Sequence, residues 1–149
     1  MKQGAIDQLI GQGVPMVPGA RDLIEQVSQD HDLAIAIASG ATARDIDQIL
    51  IGLELRDRFK VIVSADNVAQ SKPHPQTYAL AAERLGIDPG DCLAIEDTAF
   101  GLQSAKGAGM MTLGLTTTGE AAALCEAERV VANLENVTLE KLRQWYDVK

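Results

Sequence analysis

The stretch Leu33-Ala34-Ile35-Ala36-Ile37-Ala38 is apolar at every position. Strands with one wet face alternate apolar and polar residues, so an uninterrupted apolar run belongs to a strand covered on both faces, inside a parallel sheet flanked by helices. The neighbouring sequence supplies those helices. Pro18-Gly19 opens one whose apolar residues Leu23, Ile24 and Val27 recur three to four apart. Thr42, with Asp45 three residues later, makes a capping-box-like start to another that carries Ile46, Ile49 and Leu50 on one side. Val61-Ile62-Val63 reads as the next strand, and Pro75 suits the first turn of a helix running through Ala79, Ala82 and Leu85 to Gly86. Cys92 to Ile95 is a third strand, Phe100 to Ala108 a helix closed by Gly109, and Met110 to Leu115 a fourth strand. Arg129 to Ala132 adds a short edge strand and Leu139 to Tyr146 a terminal helix. This alternation predicts an α/β fold built on a parallel sheet.

The chain has 149 residues, 46% of them apolar, which suits one compact domain and leaves little room for a second. Its apolar runs are too short to span a bilayer. A formal net charge of −8 repels nucleic-acid phosphates and anionic lipid heads, and no basic patch offsets it, so neither nucleic acid nor membrane is expected as a partner. Cys92 and Cys125 lie far apart with no CxxC or Cys/His cluster. Neither a disulfide framework nor a zinc site is indicated, and a reducing cytoplasm is the expected location.

Three polar clusters follow predicted strands: Ser39-Gly40 after the first, Ser71-Lys72-Pro73 after the second, and Glu96-Asp97 after the third. In an open α/β sheet the carboxyl ends of the strands converge on one crevice, where ligands bind. A hydroxyl, an ammonium and two carboxylates are the groups needed to hold a phosphoryl group and a magnesium ion. Taken singly, each has a plainer reading as a turn serine, a solvated lysine or an acidic helix start; their joint order points to a site.

Ile37-Ala38-Ser39-Gly40, Ser71-Lys72-Pro73-His74-Pro75, Ile95-Glu96-Asp97-Thr98-Ala99-Phe100-Gly101 and Ala108-Gly109-Met110 together resemble the second to fourth motifs of the haloacid dehalogenase superfamily. The likeness runs from about Val14 onward and is greatest to the β-phosphoglucomutase and phosphoglycolate-phosphatase branch. It implies a Rossmann-like parallel sheet and a small phosphorylated metabolite as substrate. By that resemblance Ser39 and Gly40 bind phosphate, Lys72 is the catalytic cation that steadies phosphate and nucleophile, and Glu96 with Asp97 hold Mg²⁺.

Two features of that family are not matched. Its first motif, an Asp-x-Asp closing an opening central strand, supplies the nucleophile. The D-x-D present here, Asp45-Ile46-Asp47, falls inside a predicted helix, where residues two apart point to opposite sides, and reads as helix surface. Of the family's cap, the stretch from Gly4 to Ile10 resembles only a last helix, so residues 1–17 are expected to be a cap remnant with its linker and 18–149 the core. The resulting expectation is a phosphoryl-transfer core that is inactive alone, its nucleophile lying outside this chain. The other reading is a non-catalytic binding or interaction protein that keeps the fold. A response-regulator receiver is disfavoured, because its acidic cluster should come first, and here it comes last.

The resemblance also implies a sheet whose central strand, between Leu33–Ala38 and Cys92–Ile95, is missing. Unpaired strand edges are unfavourable when buried and adhesive when exposed. Three outcomes are expected: the flanking strands pair directly, a second copy or a complementing N-terminal segment fills the slot, or the chain aggregates. The remaining candidates read as structural. His31 and His74 are loop residues, Thr116-Thr117-Thr118-Gly119 is a loop, and Leu142, Trp145 and Tyr146 pack the last helix.

Overall fold

The apolar runs form short parallel strands in the computed structural model, which describes residues 16–117 and 120–146. In chain order the elements are α1 (Ala20–Ser28), β1 (Ala36–Ala38), α2 (Ala43–Gly52), β2 (Val61–Val63), α3 (Gln76–Leu85), β3 (Leu93–Glu96), α4 (Ala99–Gly107), β4 (Met111–Leu115), β5 (Arg129–Val131) and α5 (Leu139–Tyr146). Strand β1 is shorter than the apolar run that encodes it. Its partner β2 begins only at Val61, so Leu33 and Ala34 precede the ladder, and Ile35 joins through a single bond from Lys60 N. The expected helix from Gly4 to Ile10 lies outside the described residues, as do Thr118 and Gly119.

Caps fix the helix starts as the sequence suggests. Thr42 Oγ1 accepts from Asp45 N at 3.2 Å, and Gly86 closes α3 in the left-handed region. Gly19 begins α1 at φ 85°, and its missing side chain makes room for the backbone of Leu134, 2.1 Å from where a Cβ would sit. The bond from Leu134 N to Pro18 O at 2.8 Å fastens the C-terminal stretch to the start of α1 at that point.

The strands fall into two sheets. β1 pairs with β2, and β3-β4-β5 form the other, every pairing parallel. The flanking strands β1 and β3 do not pair directly, and among the described residues no strand lies between them. Helices hold the halves together. On one face α1 bridges two apolar clusters, with Leu23 packed beside Leu113, Leu115 and Leu142, and Ile24 beside Ile46, Leu50 and Ile37. On the other face Tyr78 and Ala82 of α3 pack with Ala94 and Ala105, and Ala38 of β1 joins the same cluster. Alternation along β1 sends Ile37 to the first face, with Ile35 just before the strand, and Ala38 to the second; Leu93 and Ala94 divide likewise on β3. Each fully buried leucine in these clusters contributes about 1.5–3 kcal/mol by leaving water.

Candidate active site

The carboxyl ends of β1 and β3 meet at one side chain. Lys72 Nζ donates to the carbonyl of Ala38 at 2.9 Å and to Glu96 Oε1 at 2.7 Å, joining the last residue of β1 to the last of β3. Its side chain is only 6% exposed and that of Glu96 2%. Sequence alone favours a solvated lysine before proline, so burial is what marks Lys72 as part of a site. The loop carrying it is tied down by Ser104 of α4, whose buried hydroxyl donates to His74 O at 2.7 Å.

Tyr78, on the first turn of α3, completes the arrangement. Its hydroxyl donates to Glu96 Oε1 at 2.9 Å, and Lys72 Nζ sits 4.8 Å from its ring centre, within cation–π range. Burial, and then the Glu96 carboxylate, push the phenol well above its ordinary value, so it stays protonated and can donate. The carboxyl of Glu96 lies against the first turn of α4, where a Cβ on Gly101 would stand 1.9 Å from Oε2. Only glycine leaves that space. Thr98 caps the same turn, its Oγ1 accepting from Gly101 N at 3.0 Å.

Ser39 directly follows Ala38 and is buried; its Oγ accepts from Ala41 N at 3.0 Å, which leaves the hydroxyl hydrogen to donate. Gly40 sits half-buried on the same bend. Lys72 thus joins Glu96 to Ala38, the chain neighbour of Ser39, with Asp97 next after Glu96 and buried. The hard carboxylate oxygens of Glu96 and Asp97 suit Mg²⁺, which commonly takes one or two carboxylates plus waters. Among the described residues no third His, Cys, Asp or Glu joins them. Among the described residues the cluster brings one basic side chain to two acidic ones, so a divalent cation beside the carboxylates would favour phosphate.

Other candidates stay away from this crevice. Asp45 and Asp47 lie on α2, where Asp47 Oδ1 accepts from Arg56 Nε at 2.8 Å, so the pair is helix surface as the spacing predicts. His74 Nδ1 accepts from Gln76 N in its loop, and His31 lies in an exposed turn. Leu142 is buried with Trp145 and Tyr146 packed around it. Cys92 and Cys125 are free thiols. Sequence reasoning missed Tyr78, although its position six residues after Lys72, on the helix that Pro75 opens, is a usable signal.

The chain is similar to several bacterial proteins over most of its length. It is 40% identical over 109 residues to the plasmid-encoded protein CbbY of Cupriavidus necator, covering 71% of this chain and 42% of that one. It is 32% identical over 132 residues to the β-phosphoglucomutase of Bacillus subtilis, covering 89% and 56%. The hexitol phosphatase B of Escherichia coli K12 is 30% identical over 119 residues, 75% of this chain and 53% of that one. The chain therefore spans about half the length of these relatives. Among solved structures, β-phosphoglucomutase from Clostridium difficile superposes with a TM-score of 0.80 at 26% identity, over 97% of this chain and 61% of that one. CbbY from Rhodobacter sphaeroides, solved with xylulose 1,5-bisphosphate, gives 0.77 at 28%, over 85% and 58%. No helix among the described residues is long and apolar enough to cross a membrane. With a model of the haloacid dehalogenase-like hydrolases matching residues 3–115, the chain belongs to that family.

Proposed function

We propose that this chain is the core of a Mg²⁺-dependent phosphatase or phosphomutase acting on a small phosphorylated sugar in the cytoplasm. The observation that carries this reading is the buried Lys72 ammonium, held between the ends of β1 and β3 beside Ser39 and the Glu96-Asp97 pair. The named chemistry of the relatives supports the substrate class: a phosphoglucomutase, a hexitol phosphatase and a protein solved with a sugar bisphosphate.

In this reading the Ser39 hydroxyl and the Gly40 amide donate to phosphate oxygens, and Lys72 balances charge on the transferring group. Glu96 and Asp97 are the residues that would hold the metal. Bound Mg²⁺ supplies the positive charge that lets a phosphate dianion approach two carboxylates. The resemblance to the family implies an aspartate nucleophile, and Asp45 and Asp47 lie on α2, where Asp47 is bonded to Arg56. In this reading the nucleophile is accordingly supplied from outside this sequence, so that the chain alone would be inactive.

Among the described residues no strand lies between β1 and β3, and we place there the segment that carries the nucleophile, whether from a complementing N-terminal piece or a second copy. Each of these strands pairs on one side only among the described residues, α1 and α3 span both, and Ile95 on β3 is 36% exposed. A parallel apolar strand ending in Asp-x-Asp would pair both edges and set its carboxylates near Lys72.

The test is phosphate release from sugar phosphates and a chromogenic ester with Mg²⁺, by the chain alone and with a synthetic peptide of that design. No release alone and release with the peptide is expected. Robust turnover by the chain alone that vanishes in Asp45→Asn or Asp47→Asn overturns the assignment of the nucleophile.

A further inference from the structure

We propose that Tyr78 is a positioning residue of this crevice, whose hydroxyl and ring together hold the Lys72–Glu96 pair in the orientation that binds phosphate. The inference rests on the phosphoryl-transfer reading and adds to it a residue that the polar clusters of the sequence do not include. Three observations meet at one oxygen and one ring. Tyr78 OH and Lys72 Nζ both donate to Glu96 Oε1, at 2.9 and 2.7 Å, and Lys72 Nζ lies 4.8 Å from the Tyr78 ring centre. All three side chains are buried, so water does not compete for these bonds.

A lysine ammonium is a compact charge on a flexible four-carbon stem and can reach an acceptor from many rotamers. A carboxylate on a three-torsion side chain adds more freedom. Tyrosine has two torsions, and at position 78 they are fixed by packing against Ala82, Ala94 and Ala105. Its hydroxyl therefore sets where Oε1 sits, and its ring face sets where the ammonium can lie. Phosphate recognition depends on such preorganisation, because a group that must be aimed on binding weakens the complex.

The substitution that isolates this role is Tyr78→Phe, which keeps the ring and its packing and removes one oxygen. The first measurement needs no ligand. The side-chain ammonium resonance of Lys72, assigned with Lys72→Arg, is recorded in wild type and in Tyr78→Phe, with the amide spectrum as a check on the fold. A protected, observable ammonium in wild type that broadens or disappears in Tyr78→Phe is expected. An unchanged resonance overturns the proposal, and so does a wild-type ammonium too mobile to observe.

The second measurement is titration of each protein with inorganic phosphate in the presence of Mg²⁺. Binding weaker by about tenfold in Tyr78→Phe is expected, the low end for the loss of one hydrogen bond to a charged group. Equal phosphate affinity in the two proteins refutes the positioning role even if the ammonium has loosened. Absence of phosphate binding in wild type refutes the reading of the crevice itself, while the ammonium comparison still decides whether Tyr78 holds the pair. A Tyr78→Phe protein that fails to fold shows the hydroxyl to be a structural requirement and overturns the proposal as stated.

Discussion

Replacing Gly101 by alanine tests whether Glu96 is anchored where the structure puts it. The new Cβ would lie 1.9 Å from Oε2, 2.1 Å from Cδ and 2.5 Å from Oε1 of Glu96. Ordinary contact requires the carboxyl to retreat by about 1.5 Å. A glutamate in water would swing aside at almost no cost, but this one is held at 2.7 Å by Lys72 and 2.9 Å by Tyr78. A retreat of that size takes both bonds beyond hydrogen-bonding range. Each bond to a charged group contributes about 1.5–3 kcal/mol, and partial re-formation leaves a loss of about 3 kcal/mol. Alanine in place of glycine inside a helix returns about 1 kcal/mol. The net expectation is destabilisation by about 2 kcal/mol, a fall in Tm of about 4–8 °C for a chain of this size. Thermal and urea unfolding followed by circular dichroism measure it. Gly52→Ala is the control: Gly52 also lies in a helix, nothing stands within 4 Å of its Cβ position, and the variant should be as stable as wild type or more so. If Gly101→Ala matches or exceeds wild type, Glu96 is free to move and the anchored-pair account fails.

Gly19→Ala should be more damaging still, by about 3 kcal/mol or more, because the obstructing atoms 2.1 Å away are Leu134 backbone and φ is 85°. A urea midpoint within error of wild type would show that the contact between α1 and the C-terminal stretch is not tight. Glu128 governs part of the acid response. Burial pushes its carboxyl up, but hydrogen bonds from the Thr112 hydroxyl and amide and the nearby Lys106 charge outweigh that and hold it below its ordinary value. A depressed folded value means stability that is present above the unfolded value and lost as the pH falls through the folded one, so Glu128→Gln should flatten the acid limb of the urea midpoint between pH 7 and pH 3. Identical limbs would contradict this.

Much of the fold is legible because the signals are local. The apolar run at Val61 to Val63, the Thr42 cap and the Gly86 stop each act within a few residues and appear where the sequence places them, and the run Met110 to Leu115 forms its strand one residue later, from Met111. Strand β1 is less so: its length is set by how far β2 reaches, which the run Leu33 to Ala38 cannot encode. The site is legible as an order of polar residues after strands, and Lys72 does meet Glu96, its other bond going to Ala38 beside Ser39. What the pattern hides is burial. Lys72 looks the same whether solvated or enclosed, because its partners are 34 and 24 residues away. Tyr78 reads as one more apolar residue on a helix face; its hydroxyl gains meaning only once Glu96 is packed against it.

The most direct measurement for the proposed crevice is an NMR titration of the isolated chain with inorganic phosphate and Mg²⁺. Shifts centred on Ser39, Gly40, Lys72, Glu96 and Asp97 are expected, with Mg²⁺ strengthening phosphate binding because it offsets the two carboxylates. Shifts confined to other regions, or phosphate binding that Mg²⁺ leaves unchanged, would contradict it.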